Sequence, residues 1–300
     1  MRNEFAQSII NAKPENNNLV FITGDLGYMA LEKVEQTYGE HFINAGVAEQ
    51  NMVTVAASLA YEGFVPFVYS IAPFVTLRPY EQIRNDVCLH NLPVKIVGNG
   101  GGYGYGIMGA THHNPEDIGA LRMLPNMRIY VPLVAEDVEQ CVQQMIADKN
   151  PNYLRLNLAA KFSFPVPAFA QWRHLKQGDN AVLIATGPVL QNITELDEAT
   201  LSGLDIWNLS VFPVKEIPAA LIENIEQTGK VIFMEEHYGE GGMRETLSYH
   251  LLSSLSKPVQ VLSLSAQGYA SGKYGSQKWH QEENGLSGKL FTDNIAGFLK

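Results

Sequence analysis

Glu49 sits in the segment Phe42-Ile-Asn-Ala-Gly-Val-Ala-Glu-Gln-Asn-Met52. A strand end meets a glycine there, and a helix begins within a few residues. In the first turn of that helix the positive end of the backbone dipole favours a carboxylate. Such a carboxylate can hold a proton on a ligand, or it can simply be an acidic helix start. A second segment, Gly98 to His113, has six glycines between Gly98 and Gly106 and ends in the adjacent pair His112 and His113. Imidazoles move protons near neutral pH, although a solvated loop would also tolerate them, and no third ligand at metal spacing accompanies them. No Gly-Lys-Ser/Thr follows the glycines, so this is not a Walker loop. Phe74, just after a strand, can stack on a flat heterocycle or fill a core. Arg155 lies in an apolar strand and needs a partner if buried. A substrate phosphate or carboxylate would serve, and so would an internal salt bridge.

These residues must be positioned by alternating strands and helices. Short apolar strand candidates at 19–23, 63–69, 92–97, 127–131 and 153–156, most of them with β-branched residues, alternate with helical patterns at 45–61, 76–90, 115–123 and 135–148. That alternation predicts a mostly parallel sheet covered on both faces. Periodicity fails from about 157 to 179, a stretch containing Pro165, Pro167 and Gly178, which reads as an interdomain linker. Strand patterns then resume at 181–185, 204–207, 230–234 and 258–262, with helices at 189–199, 218–227 and 242–253. The expected fold is α/β with two domains: a doubly wound domain over 1–160, a linker over 161–178, and a smaller α/β domain over 179–300. In such sheets ligands bind at the carboxyl ends of the strands, where the glycine-rich segment lies.

Three hundred residues suit about two domains of roughly 150. With 46% hydrophobic and 17% charged residues the chain can fill two cores. Its net charge of −10 argues against nucleic-acid and anionic-membrane partners. Cys88 and Cys141 form no CxxC, so a reducing, cytoplasmic location is expected. The stretch 53–77 is broken by Glu62, Gly63, Pro66 and Pro73, which excludes a bilayer span there.

Taken in order, several motifs resemble the transketolase family: Gly24-Asp25-Leu26, Gly46-Val-Ala-Glu-Gln-Asn-Met52, Ala72-Pro-Phe74, Gly109-Ala-Thr-His-His113, Glu116-Asp117 and Leu121-Arg-Met-Leu-Pro-Asn-Met127. The likeness is to the carboxyl-terminal half of that family, made as a separate subunit. It is dense to Arg155 and thinner in the second domain, where Ala185-Thr-Gly187, Glu235-Glu-His237 and Gly241-Gly242 carry it.

The resemblance implies thiamine diphosphate chemistry. Glu49 matches the family glutamate that hydrogen-bonds the cofactor's pyrimidine nitrogen and favours its imino tautomer. Phe74 matches the aromatic that stacks on the pyrimidine, and Asp25 the aspartate of the first strand-end loop. His112 matches a histidine used for substrate binding and proton transfer, with His113 beside it. Arg155 matches a contact to substrate phosphate. The family's diphosphate and metal are held by a Gly-Asp-Gly segment, which this chain lacks: Gly24-Asp25 continues with Leu26 and Gly178-Asp179 with Asn180. No metal is therefore expected on this chain. A divalent metal, Mg²⁺ or Ca²⁺, is expected on an amino-terminal-half partner, in an α2β2 heterotetramer.

The implied reaction is transfer of a two-carbon ketol unit between sugars. Departures from the family pattern concern the pocket: Gly27-Tyr28-Met29 after Asp25-Leu26, Ile71 in place of a second aromatic, Met108 in place of an aspartate, and Gly100 or a neighbour in place of a histidine. They imply a less polar pocket and a sugar outside the usual pentose-phosphate pair, such as a deoxy, branched or nucleotide-linked one. Other readings of the same domains are the β subunit of a 2-oxo acid dehydrogenase, a deoxyxylulose phosphate synthase-like enzyme, or a noncatalytic partner subunit. A Rossmann dinucleotide binder is disfavoured, because no Gly-x-Gly-x-x-Gly opens a helix after the first strand.

Overall fold

Alternation along Leu19–Thr23 sets the layers of the first domain. Val20 and Ile22 pack on one face with Met52, Val53 and Ala56 of the helix Glu49–Tyr61. Leu19 and Phe21 pack on the other with Phe5 and Ile9 of Arg2–Ala12 and with Val138, Val142 and Met145 of Asp137–Ala147. A strand buried on both faces is what a doubly wound sheet requires. The computed structural model describes residues 1–26 and 31–300; the departure Gly27-Tyr28-Met29 lies outside them.

The strands are β1 (Leu19–Thr23), β2 (Phe42–Asn44), β3 (Val65–Ile71), β4 (Lys95–Asn99), β5 (Arg128–Tyr130), β6 (Asn152–Leu156), β7 (Trp172–Lys176), β8 (Ala181–Thr186), β9 (Leu204–Leu209), β10 (Val211–Phe212), β11 (Lys230–Tyr238) and β12 (Gln260–Ala266). Seven form one sheet in the order β10-β5-β6-β4-β3-β1-β2, and five form another in the order β12-β11-β8-β9-β7. All pairings are parallel except β10 with β5 and β7 with β9. From β1 the chain moves outward to β2, then returns to β1's other side as β3. The switch point of the first sheet therefore lies between the carboxyl ends of β1 and β3.

Several sequence expectations need correction. The segment 161–178 is not all linker, because β7 forms the edge of the second sheet within it. Its pairing partner β9 lies beyond it in sequence, so no local periodicity marks it. The two-residue β10, from the second half of the chain, adds to the first sheet instead. One buried cluster consequently runs through both sheets, including Ile129 and Val131 on one side and Val182, Phe212 and Phe233 on the other. The helix expected over 76–90 is broken at Pro79, which cannot donate a helical N–H. Ala72–Thr76 ends before it, and Tyr80–Gln82 runs on into a π-helical segment, Ile83–Cys88. The helix expected over 189–199 is a 3₁₀ segment, Pro188–Glu195, followed by a short helix, Glu198–Ser202. Cys88 and Cys141 are free and buried. Among the described residues no helix is long and apolar enough to cross a membrane.

The second sheet carries a pH-sensitive joint. Glu235 on β11 accepts hydrogen bonds from Met243 N at 2.6 Å and Arg244 N at 3.0 Å, holding the start of the helix Met243–Ser254. Burial pushes its carboxyl up to about 7, against those two bonds, which lower it. An unfolded Glu titrates near 4.3, so the folded chain binds the extra proton between these values. This contribution to stability is full below about pH 4.3 and is lost as pH rises through about 7. Glu235→Gln should remove that slope: the wild-type-minus-variant difference in urea midpoint should fall from about pH 5 to about pH 7. A flat difference across that window would refute the assignment.

Candidate active site

The loop after β2 sets Glu49. Asn44 ends the strand, and its Oδ1 accepts from Gly46 N at 3.0 Å and Asp25 N at 3.1 Å. Its Nδ2 donates to Asp25 Oδ1 at 3.2 Å. Gly46 takes φ +67°, a left-handed value that glycine adopts without strain. The helix then starts at Glu49, four residues later than the first position of the expected 45–61 segment. A Cβ on Gly24 would lie 3.3 Å from Gly46 O and 3.8 Å from Glu49 Cγ, so glycine at the end of β1 permits this close approach. Glu49 is only 2% exposed.

Phe74 reaches the same place from the end of β3. Its ring is half-buried, and its centroid lies 5.2 Å from that of His112, edge to face. His112 Nδ1 is 2.9 Å from Thr111 Oγ1. Arg78, which the sequence reading missed, joins them. Its Nη1 donates to Glu49 Oε2 at 2.7 Å, and its Cζ lies 4.3 Å from the Phe74 centroid. The available signal was its spacing: four residues after Phe74 at a helical turn, where side chains stack. Glu49, Phe74, Arg78 and His112 thus converge at the switch point, with exposed Asp25 tied to the Glu49 loop. Val47, two residues before Glu49, and Ile107, five residues before His112, are each more than 70% exposed. Beside them a cavity of about 430 Å³ opens at the end of β4, lined in part by Arg2, Asn99 and Tyr105. Tyr105's ring centroid is 6.1 Å from that of His112.

Two expected substrate contacts are elsewhere. Arg155 is 3% exposed and is held by Asp117, which is fully buried: Nε donates to Oδ1 at 3.0 Å and Oδ2 at 2.8 Å. Tyr153 OH donates to the same Oδ2 at 2.8 Å, and Arg155 Nη2 donates to Glu236 O at 2.9 Å. The internal salt bridge is the partner Arg155 uses, so the substrate-phosphate assignment is withdrawn. His113 is buried in a cluster with Tyr103, Tyr269 and His280. Its Nε2 is 2.7 Å from Gly106 O and its Nδ1 2.9 Å from Tyr269 OH. Burial holds its pKa below the ordinary imidazole value. It joins the two halves of the chain and does not face Phe74, so its substrate role is withdrawn as well.

The glycine-rich segment is explained by the same packing. A Cβ on Gly101 would lie 2.7 Å from Arg155 Nε, and one on Gly102 2.5 Å from Glu236 Oε1. Glu236 is buried and accepts from Tyr103 N at 2.7 Å and from the side chains of Gln277 and Gln281. Burial pushes its carboxyl up. The loop therefore lies flat over a network spanning both sheets.

Both the sequence and the fold have known relatives. The family description "Transketolase, pyrimidine binding domain" matches residues 1–159, and "Transketolase, C-terminal domain" matches residues 170–281. One subunit of an apulose-4-phosphate transketolase of Phocaeicola vulgatus is 28% identical over 282 residues, covering 90% of this chain and 89% of its own. A 1-deoxy-D-xylulose-5-phosphate synthase of Clostridium beijerinckii is also 28% identical, covering 82% of this chain but 41% of the synthase. A solved structure described as a split gene transketolase, an inactive beta4 tetramer, superposes with a TM-score of 0.82 at 27% identity, covering 99% of this chain and 97% of that one. With both domain descriptions matched in order along most of its length, the chain belongs to the transketolase family.

Proposed function

We propose that this chain is the cofactor-activating half of a split, thiamine diphosphate-dependent transketolase, transferring a two-carbon ketol unit between sugars. The observation that carries the reading is the convergence of buried Glu49 with half-buried Phe74 at the switch point. These two groups fit a flat, N–H-donating ring, because they already hold a planar cation, the Arg78 guanidinium. Glu49 would hold a proton between its carboxylate and the pyrimidine nitrogen, and Phe74 would support the ring face. When bound, the cofactor supplies a nucleophilic carbon and an electron sink for the transferred unit.

His112 would hydrogen-bond the sugar and move a proton through Nε2, which has no hydrogen-bond partner among the described residues while Nδ1 is engaged by Thr111. Asp25 would act indirectly, keeping the Glu49 loop in place through Asn44. An amino-terminal-half subunit in an α2β2 assembly would hold the diphosphate and its Mg²⁺ or Ca²⁺, and would cover the exposed Val47 and Ile107. A cytoplasmic setting suits a sugar substrate. Met108, half-exposed beside this face, supports a less polar pocket than pentose-phosphate enzymes use. A relative named for apulose 4-phosphate points to the same kind of specialised sugar.

Co-expression with the neighbouring amino-terminal-half subunit tests the reading. The two chains should co-purify, retain thiamine diphosphate, and turn over ketose donors, whereas the chain alone should be inactive. Turnover of 2-oxo acids with no turnover of ketoses would favour the synthase- or dehydrogenase-like alternative. Tight cofactor binding and turnover by the chain alone would refute the split arrangement.

A further inference from the structure

Arg78 touches both groups proposed to receive the cofactor ring. Its guanidinium donates to Glu49 Oε2 and lies over Phe74. The two partners of the ion pair differ sharply in exposure: Glu49 is 2% exposed, and the Arg78 side chain is 40% exposed. The carboxylate is fixed at the start of its helix. The Arg78 side chain is partly exposed, so it has solvent beside it to move into.

A guanidinium is planar and cationic, carries N–H donors in its plane, and stacks on aromatic faces. An aminopyrimidine that carries a proton on its ring nitrogen offers the same flat face and an in-plane donor. One carboxylate oxygen and one ring face cannot serve both groups in the same place. A buried carboxylate left without any partner is strongly destabilising, so a chain made apart from its partner subunit needs something on Glu49.

We propose that Arg78 is a displaceable stand-in for the pyrimidine: it neutralises Glu49 in the unloaded chain and swings out when the ring binds. This rests on the reading that Glu49 and Phe74 hold the cofactor. The consequence is competition. The apparent cofactor affinity falls by the fraction of chains in which Arg78 has left Glu49. With Glu49 buried and the Arg78 side chain 40% exposed, the pair lies between the exposed and the buried case, and the reduction is about tenfold.

Two measurements test this. The first is thermal denaturation of the chain alone, comparing wild type, Glu49→Gln, Arg78→Met and the double variant. Arg78→Met should lower Tm by about 3–6 °C, and Glu49→Gln should restore most of it in that background. Strictly additive effects overturn the proposal. The second is calorimetric titration of thiamine diphosphate with Mg²⁺ into the assembled enzyme, using wild type, Arg78→Met and Arg78→Gln. The glutamine variant keeps a neutral N–H donor for Glu49 and guards against misfolding of the methionine one. Both variants should bind about tenfold more tightly than wild type. Equal or weaker binding by both, in an assembly whose wild type binds the cofactor in a Glu49-dependent way, overturns the stand-in role alone. A wild-type assembly that binds no cofactor, or binds it as well with Glu49→Gln, overturns the underlying reading and the stand-in together.

Discussion

Glu49→Gln should lower turnover of the assembled enzyme by about 10²–10⁴-fold, the usual worth of a positioned proton-transfer group. The amide is nearly isosteric with the carboxylate, so the helix start, the Asn44 loop and the subunit contacts should survive. What it loses is the ability to hold a proton on the pyrimidine nitrogen. It also loses the charge that Arg78 pairs with at 2.7 Å. Assembly by size-exclusion chromatography should therefore match wild type while kcat falls. This outcome separates an active half-enzyme from a noncatalytic partner subunit. A variant that assembles and turns over at the wild-type rate would favour the noncatalytic reading. Because Glu49 is 2% exposed, bulk solvent is no substitute for it, so raising buffer concentration should not rescue the rate.

The parts of this site legible in the sequence are those set by local chemistry. β1, β3 and β4 announce themselves by runs rich in β-branched and aromatic residues, because strands buried on both faces have no polar alternation to dilute the signal. Glu49 is legible because a glycine and a helix start bracket it. Other features arise only from tertiary contact. Strands β2 and β10 have three and two residues, too few for any period to show. Strand β7 lies in a proline-containing stretch, and its partner β9 is paired across a gap in sequence. Arg78 meets Glu49 from 29 residues away, a contact that exists only because β1 and β3 are neighbours at the switch point. Arg155 shows the limit most directly. Its sequence context demands a partner but does not name one, and Asp117, 38 residues earlier, reaches it only once the helix Asp117–Arg122 is seated on the sheet.

That seating makes Arg155→Met a strongly destabilising substitution outside the site. The variant leaves Asp117 fully buried without its paired cation, and among the described residues it keeps Tyr153 OH and Ile118 N as donors. Removing one member of a buried pair costs about 3–5 kcal/mol, because the other charge is left uncompensated. For a chain of this size that should lower Tm by about 5–15 °C. Arg155 also donates to Glu236 O on β11, so the two sheets should loosen against each other, and proteolysis within 157–171 should accelerate. Adding Asp117→Asn should recover much of the loss, since the remaining polar groups can pair without charge. At a temperature where Arg155→Met is still folded, KM for the sugar substrate should stay within about twofold of wild type. A large rise in KM at unchanged Tm would instead return Arg155 to the substrate. Geometry favours the first outcome. Both carboxylate oxygens of Asp117 lie within 3.0 Å of the guanidinium Nε, and a substrate phosphate would have to break that contact in a part of the molecule that solvent does not reach.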